Sequence, residues 1–351
     1  MTRLMARLKT SVKTGLMIGL LTASIALTTS AAEARQPSVW RAAAQPQSKR
    51  EGDAIAKVDR WMSEVAHLRR RTPNSAGRRG ILLNRARRKL EDVRAALSSR
   101  SDLRMRLAQV YYGLYDVEQD QQRMKQAVVQ LLFVARSNAP IMVRAEALND
   151  LAICYARLGK HEAEIAAYAE AIAIEPHAES RAVLLANRAE AFMVRGRILD
   201  AVRGYRQSMR STPSALYGRI GVTTMWGLGV ALDRSGDLQG ALAQIALARR
   251  YDPADQRIRS DTWFYVPPYD DSWYGALGAW QSARSSKDEV LRRAFYTEAV
   301  SLWRKYIAEA PPNDRWLALA GQRLTLCENE RERGMSSGAR NEKQKTNSKT
   351  R

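Results

Sequence analysis

Three stretches of this chain carry the same order of residues in the same phase, and that recurrence limits the fold more than any other feature. They are residues 145–176, 182–213 and 222–253. Each opens with an apolar residue (Leu148, Leu185, Met225), then a small one (Ala152, Ala189, Gly229), then a large one (Tyr155, Phe192, Leu232). A glycine follows: Gly159, Gly196, Gly236. The second run carries a large residue (Tyr168, Tyr205, Ile245), a small one (Ala171, Ser208, Ala248) and a closing proline (Pro176, Pro213, Pro253). Glycine takes the left-handed conformation that ends a helix without steric cost. Proline ends a helix because it lacks the N–H and its ring collides with the preceding turn. The unit is therefore helix, glycine turn, helix, proline stop. Small residues on the facing sides let two antiparallel helices approach, and one such pair cannot cover its own apolar face, so consecutive pairs stack.

This order resembles the tetratricopeptide repeat family over residues 145–255. The resemblance implies an all-α fold, a right-handed α-solenoid of antiparallel helix hairpins. Two departures stand out. The glycines are 37 and 40 residues apart, against a family period of 34, which predicts longer first helices or loops between repeats. Early in the second helix the family favours a small residue; Ala201 and Ala241 comply, but Glu164 stands there in the first repeat. Either that helix is rotated or Glu164 reaches solvent.

The flanking segments read as further helices. Residues 54–70 place Ile55, Val58, Trp61, Met62, Val65 and Leu68 at helical spacing, and residues 81–97 do the same with Leu83, Ala86, Leu90, Val93 and Leu97. A third helix runs through Leu107, Tyr111 and Leu114. A fourth runs through Ala127, Leu131 and Ala135 to Pro140. Residues 54–140 lack the glycine and proline marks, so they are degenerate repeats or an N-terminal cap. Beyond the repeats, residues 256–332 read as an aromatic loop, a degenerate helix pair and a capping helix. Trp263, Phe264, Tyr265, Tyr269, Trp273, Tyr274 and Trp280 form the aromatic part, either as a packed lid or as an exposed patch. Ser286 and Glu289 have capping-box spacing. Residues 333–351 are polar and basic, the composition of a disordered tail.

The N-terminus has the three parts of a secretory signal: basic Arg3, Arg7, Lys9 and Lys13, an apolar run over residues 15–27, and an Ala32-Glu33-Ala34 cleavage site. The expectation is a signal peptide over residues 1–34, a flexible linker over 35–53, and a periplasmic or secreted protein. An uncleaved membrane anchor is the alternative.

The net charge is +21, and +18 without residues 1–34. Residues 35–104 hold 18 basic and 7 acidic residues, so most of that excess lies there. Arg69, Arg70, Arg71, Arg78, Arg79, Arg85, Arg87, Arg88 and Lys89 are its centre. They form either a solvated face or a patch for an anionic lipid, envelope polymer or acidic protein. Charge alone selects no partner, and export argues against nucleic acid.

No chemistry announces itself. His67, His161 and His177 are far apart without metal-ligand spacing, and no nucleophile elbow, phosphate loop or dinucleotide fingerprint is present. We expect no catalytic residue, cofactor or metal. Cys154 and Cys327, the only cysteines, read as small buried residues because an extended solenoid holds them too far apart to bridge. The resemblance implies that the concave face binds an extended peptide or helix of a protein partner. It places Asn149, Ile153 and Arg157 there from the first repeat, Glu190 and Met193 from the second, and Trp226, Val230 and Arg234 from the third. Trp226 is a groove anchor or a packed residue. Asn149, Asn187 and Arg234 only echo the carboxylate-gripping set of one subgroup. The expected function is a non-enzymatic exported scaffold; the alternatives are an envelope protein held electrostatically by the basic helices and, last, a nucleic-acid-binding repeat protein.

Overall fold

The structure, a computed structural model, describes residues 49–72, 74–93, 100–213, 221–260 and 267–349. The expected signal peptide and most of the expected linker lie outside these residues. Among the described residues every regular element is a helix. In chain order they are α1 (Lys49–Arg71), α2 (Ala76–Glu91), α3 (Ser101–Glu118), α4 (Gln121–Arg136), α5 (Ile141–Arg157), α6 (His161–Ile174), α7 (Ala178–Val194), α8 (Ile198–Ser211), α9 (Val222–Arg234), α10 (Leu238–Tyr251), α11 (Gln256–Ser260), α12 (Asp270–Ser285), α13 (Glu289–Glu309) and α14 (Leu317–Lys349). Consecutive helices pair as α1–α2, α3–α4, α5–α6, α7–α8, α9–α10 and α12–α13, and each hairpin packs on the next. The protein is an α-solenoid of antiparallel helix hairpins.

The three glycine turns are built alike. Gly159, Gly196 and Gly236 have φ of +67°, +72° and +97°. The amide three residues past each helix end reaches back: Lys160 to the Tyr155 carbonyl (2.9 Å), Arg197 to Phe192 (2.8 Å) and Asp237 to Leu232 (2.9 Å). This Schellman closure satisfies carbonyls that a helix end otherwise leaves bare. Its acceptor each time is the large residue of the repeat pattern.

The α3–α4 hairpin also turns through a left-handed residue, with a shorter closure. Gln119 has φ 55°, and its amide donates to the Tyr115 carbonyl at 2.8 Å. It stands 40 residues before Gly159, the same interval as from Gly196 to Gly236. The sequence conceals this turn because glutamine, not glycine, occupies the left-handed position. The long spacing has the expected source in part: first helices α5 and α7 have 17 residues each and their partners α6 and α8 have 14.

The apolar interior forms two clusters that meet at α7, one drawn from α1 to α7 and one from α7 to α14. The C-terminal cluster is aromatic. Trp273, Trp280 and Trp303 are fully buried, and Trp273 meets Trp303 and Tyr306 edge-on, with both centroid distances 4.9 Å. Tyr274 is buried too. The aromatic stretch is therefore packed over its described part; Trp263, Phe264 and Tyr265 lie outside the described residues.

Four expectations need correction. Helix α1 starts at Lys49, inside the expected linker. Glu164 does not reach solvent: it is 6% exposed and accepts its bond from His161 Nδ1 at 2.9 Å, which spares the carboxylate a wholly apolar site. The cap of α13 is Asp288, whose carboxylate accepts from the Val290 and Leu291 amides, so Ser286 and Glu289 do not form the box. Helix α14 continues to Lys349 through the expected tail. No proline interrupts that segment, and its glutamate, lysine, arginine and glutamine residues are helix-compatible.

Candidate functional site

The first helices of successive hairpins, α3, α5, α7 and α9, line one face. It divides in two. Ile153, Arg157 and Glu190 are partly exposed on α5 and α7, with Asn187 beside them. The Arg157 guanidinium meets the Tyr112 hydroxyl and lies near Asp116 of α3, and Asp116 also pairs with Arg69 of α1 at 3.4 Å. Burial draws the Arg157 pKa down, but Tyr112 and Asp116 more than offset it, so the group stays above its ordinary value. The N-terminal part of the face is thus open, polar and mixed in charge. Asn149, at 4% exposure, lies beneath it and donates to Asp150 Oδ1 at 3.0 Å.

The part lined by α9 is closed. Met193, Trp226, Val230 and Arg234 are all buried, so none of these four presents a groove surface. The physical reason is the C-terminal module, which the repeat pattern does not reveal. Trp226 packs against Tyr274 of α12, with ring centroids 6.5 Å apart, so it is a packed residue. A Cβ on Gly278 would sit 3.0 Å from its ring, so a larger residue there would require the ring to give by a few tenths of an ångström.

A buried ionic network then locks α14 to α9. Asp233, fully buried, accepts from Arg323 Nε of α14 at 2.7 Å and from Trp273 Nε1 of α12 at 3.0 Å. Arg234 donates to Asp270 Oδ1 at 2.8 Å and lies over the rings of Trp273 and Trp316, 4.7 and 5.2 Å from their centroids. Burial raises the pKa of both carboxyls; the arginines oppose it without cancelling it. Arg315 Nη1 reaches back to the Arg195 carbonyl at 2.8 Å, where α7 ends. Sequence reasoning missed Asp233, Asp270 and Arg323, because charged residues on helices read as solvated until a partner element is known to cover them.

The basic patch is also sorted by the structure. Arg78 pairs with Glu64 at 2.5 Å, Arg87 with Glu91 at 2.8 Å, Lys89 with Asp92 at 3.5 Å and Arg69 with Asp116. The Arg79 Nε is buried without a partner. Arg71, Arg85 and Arg88 are exposed, with no acidic partner among the described residues. The Arg70 side chain lies outside them.

Cys154 and Cys327 are both free and buried. No group of three or more metal-ligating side chains is gathered among the described residues, and none of their helices is long and apolar enough to cross a membrane.

No family model matches the chain, and no curated protein is similar to it at a significant level. Solved structures are similar to it at low sequence identity. BtubC (BKLC) from P. vanneervenii is 17% identical over 59% of this chain and 92% of its own, with a TM-score of 0.38. Cut9–Hcn1 of the APC/C is 13% identical over 79% and 48%, with a TM-score of 0.41. The P58(IPK) TPR domain is 15% identical over 84% and 71%, with a TM-score of 0.31. The architecture of this chain rests on its own hairpins. Their order, left-handed turns and stacking make it an α-solenoid of helix hairpins that resembles the tetratricopeptide repeat.

Proposed function

We propose that the protein is an exported, non-enzymatic scaffold that binds a segment of a partner protein along the open part of its first-helix face, over α3, α5 and α7. The carrying observation is the division of that face. Ile153, Arg157, Asn187 and Glu190 stay accessible, while the α9 portion is filled by the protein's own C-terminal module. An apolar Ile153 flanked by Arg157 and Glu190 offers one contact for a side chain and two fixed charges for orientation, the mixture that sets register in a peptide groove. Export rests on the N-terminal signal pattern.

Photo-crosslinking in the native cell tests the site. A photoreactive residue at position 153 or 190 is expected to trap one partner, whereas the same residue at Ala166, exposed on α6, traps none. Equal capture from all three positions would remove the groove from consideration. The N-terminal residue of the cellular protein tests export separately: a start near Arg35 in the exported fraction supports it, and Met1 retained in the cytosol ends it.

A further inference from the structure

The outer surface of the first two hairpins combines exposed cations, of which Arg78 pairs with Glu64, with exposed apolar side chains. On α2 the face opposite the buried Leu82, Leu83, Ala86 and Leu90 presents Arg78, Ile81, Arg85 and Arg88, a single stripe at helical spacing. Ile81 is 57% exposed in the middle of it. On α4, the outer helix of the next hairpin, the exposed stripe is Lys125, Val129, Phe133 and Arg136. Val129 is 59% exposed, and the Phe133 ring lies under the Arg104 guanidinium, 3.6 Å from its centroid. The pattern stops at α6, where Glu162, Ala166, Glu170 and Ala173 face outward.

We infer that the outer faces of α2 and α4 dock the protein onto an anionic phospholipid surface. Each half of the pattern has its own physical reason. Cations held near an anionic leaflet are attracted by its surface potential. Arginine stems lie along apolar material while their heads stay wet. Aliphatic and aromatic side chains between those heads enter the headgroup–acyl boundary, as in helices that lie in an interface. A nucleic-acid backbone rewards the charge alone and leaves Ile81, Val129 and Phe133 in water. The solenoid then stands on the membrane by one end. This docking is independent of what occupies the groove.

The test is co-sedimentation of the full chain with phosphatidylcholine vesicles, with and without phosphatidylglycerol. Binding is expected only with the anionic lipid and should fade as salt screens it. The double substitution Arg85→Gln with Arg88→Gln should lower partitioning ~30-fold, at about 1 kcal/mol per arginine near the surface. Ile81→Ser with Val129→Ser should weaken it with no change of charge. Arg206→Gln with Arg210→Gln, on the exposed side of α8, is the charge-matched control and should retain binding. All of these positions but Val129 and Ile81 are polar, and all are exposed, so circular dichroism should be unchanged. Equal partitioning of wild type and the Arg85/Arg88 variant overturns the inference, including the case where residues 15–27 insert on their own. Equal loss in the α8 control overturns it as well. So does binding to a DNA oligonucleotide, abolished by the arginine substitutions, without binding to vesicles.

Discussion

Removing Arg323 should loosen the C-terminal module by an amount set by the burial of its partner. Arg323 Nε lies 2.7 Å from Asp233 Oδ1, and Nη2 lies 3.3 Å from the Asp233 carbonyl. Asp233 has no exposed surface, so Arg323→Met leaves a buried carboxylate with the Trp273 indole as its one side-chain donor among the described residues. Breaking such a pair from one side costs about 3–5 kcal/mol, whereas an exposed pair would cost about 1 kcal/mol or less. The pH dependence follows. Burial already raises the Asp233 pKa, with Arg323 the leading opposing influence. Without Arg323 it rises further. A carboxyl with a raised folded pKa favours folding below its unfolded pKa and loses that contribution as pH rises through the folded value. The deficit of Arg323→Met should therefore be greatest at about pH 8 and shrink towards about pH 4. Urea unfolding followed by tryptophan fluorescence is the assay, since Trp273, Trp280 and Trp303 are fully buried in α12 and α13. Asp233→Asn with Arg323→Met should recover most of the loss. A loss below about 1 kcal/mol at pH 8, or a deficit that ignores pH, would refute the reasoning.

Other consequences are local. Gln119→Gly should stabilise the α3–α4 hairpin by about 1 kcal/mol, because φ 55° carries a Cβ penalty that glycine avoids; denaturant midpoints check it. Glu164→Gln should stabilise by roughly 1 kcal/mol at about pH 8, with the gain vanishing near pH 4, since burial raises the Glu164 pKa more than His161 lowers it; thermal melts across pH give the sign. Burial pushes the Cys327 thiol up to about 12 and raises Cys154 as well, so mass spectrometry should find neither alkylated by iodoacetamide until the protein unfolds.

The sequence by itself determined the local grammar. Three glycines at matching positions specified three left-handed turns, because no other residue takes that conformation without strain. Apolar spacing specified which sides of α5 to α10 turn inward. The fourth turn stayed hidden at Gln119, where context holds a residue that local preference would not choose. Of the residues that the repeat pattern places on the concave face, Ile153, Arg157 and Glu190 are accessible, while Asn149 and Met193 on the same two helices are buried. Trp226 and Arg234 sit at positions that face the open groove in a repeat considered alone, yet both are buried here. What decided that was the docking of α12 to α14 on α9. It joins Asp233 to Arg323 across 90 residues and Arg195 to Arg315 across 120. Helix periodicity is set by neighbours three and four places away. Which face becomes core and which remains surface is set by partners far along the chain, and only the tertiary structure brings those together.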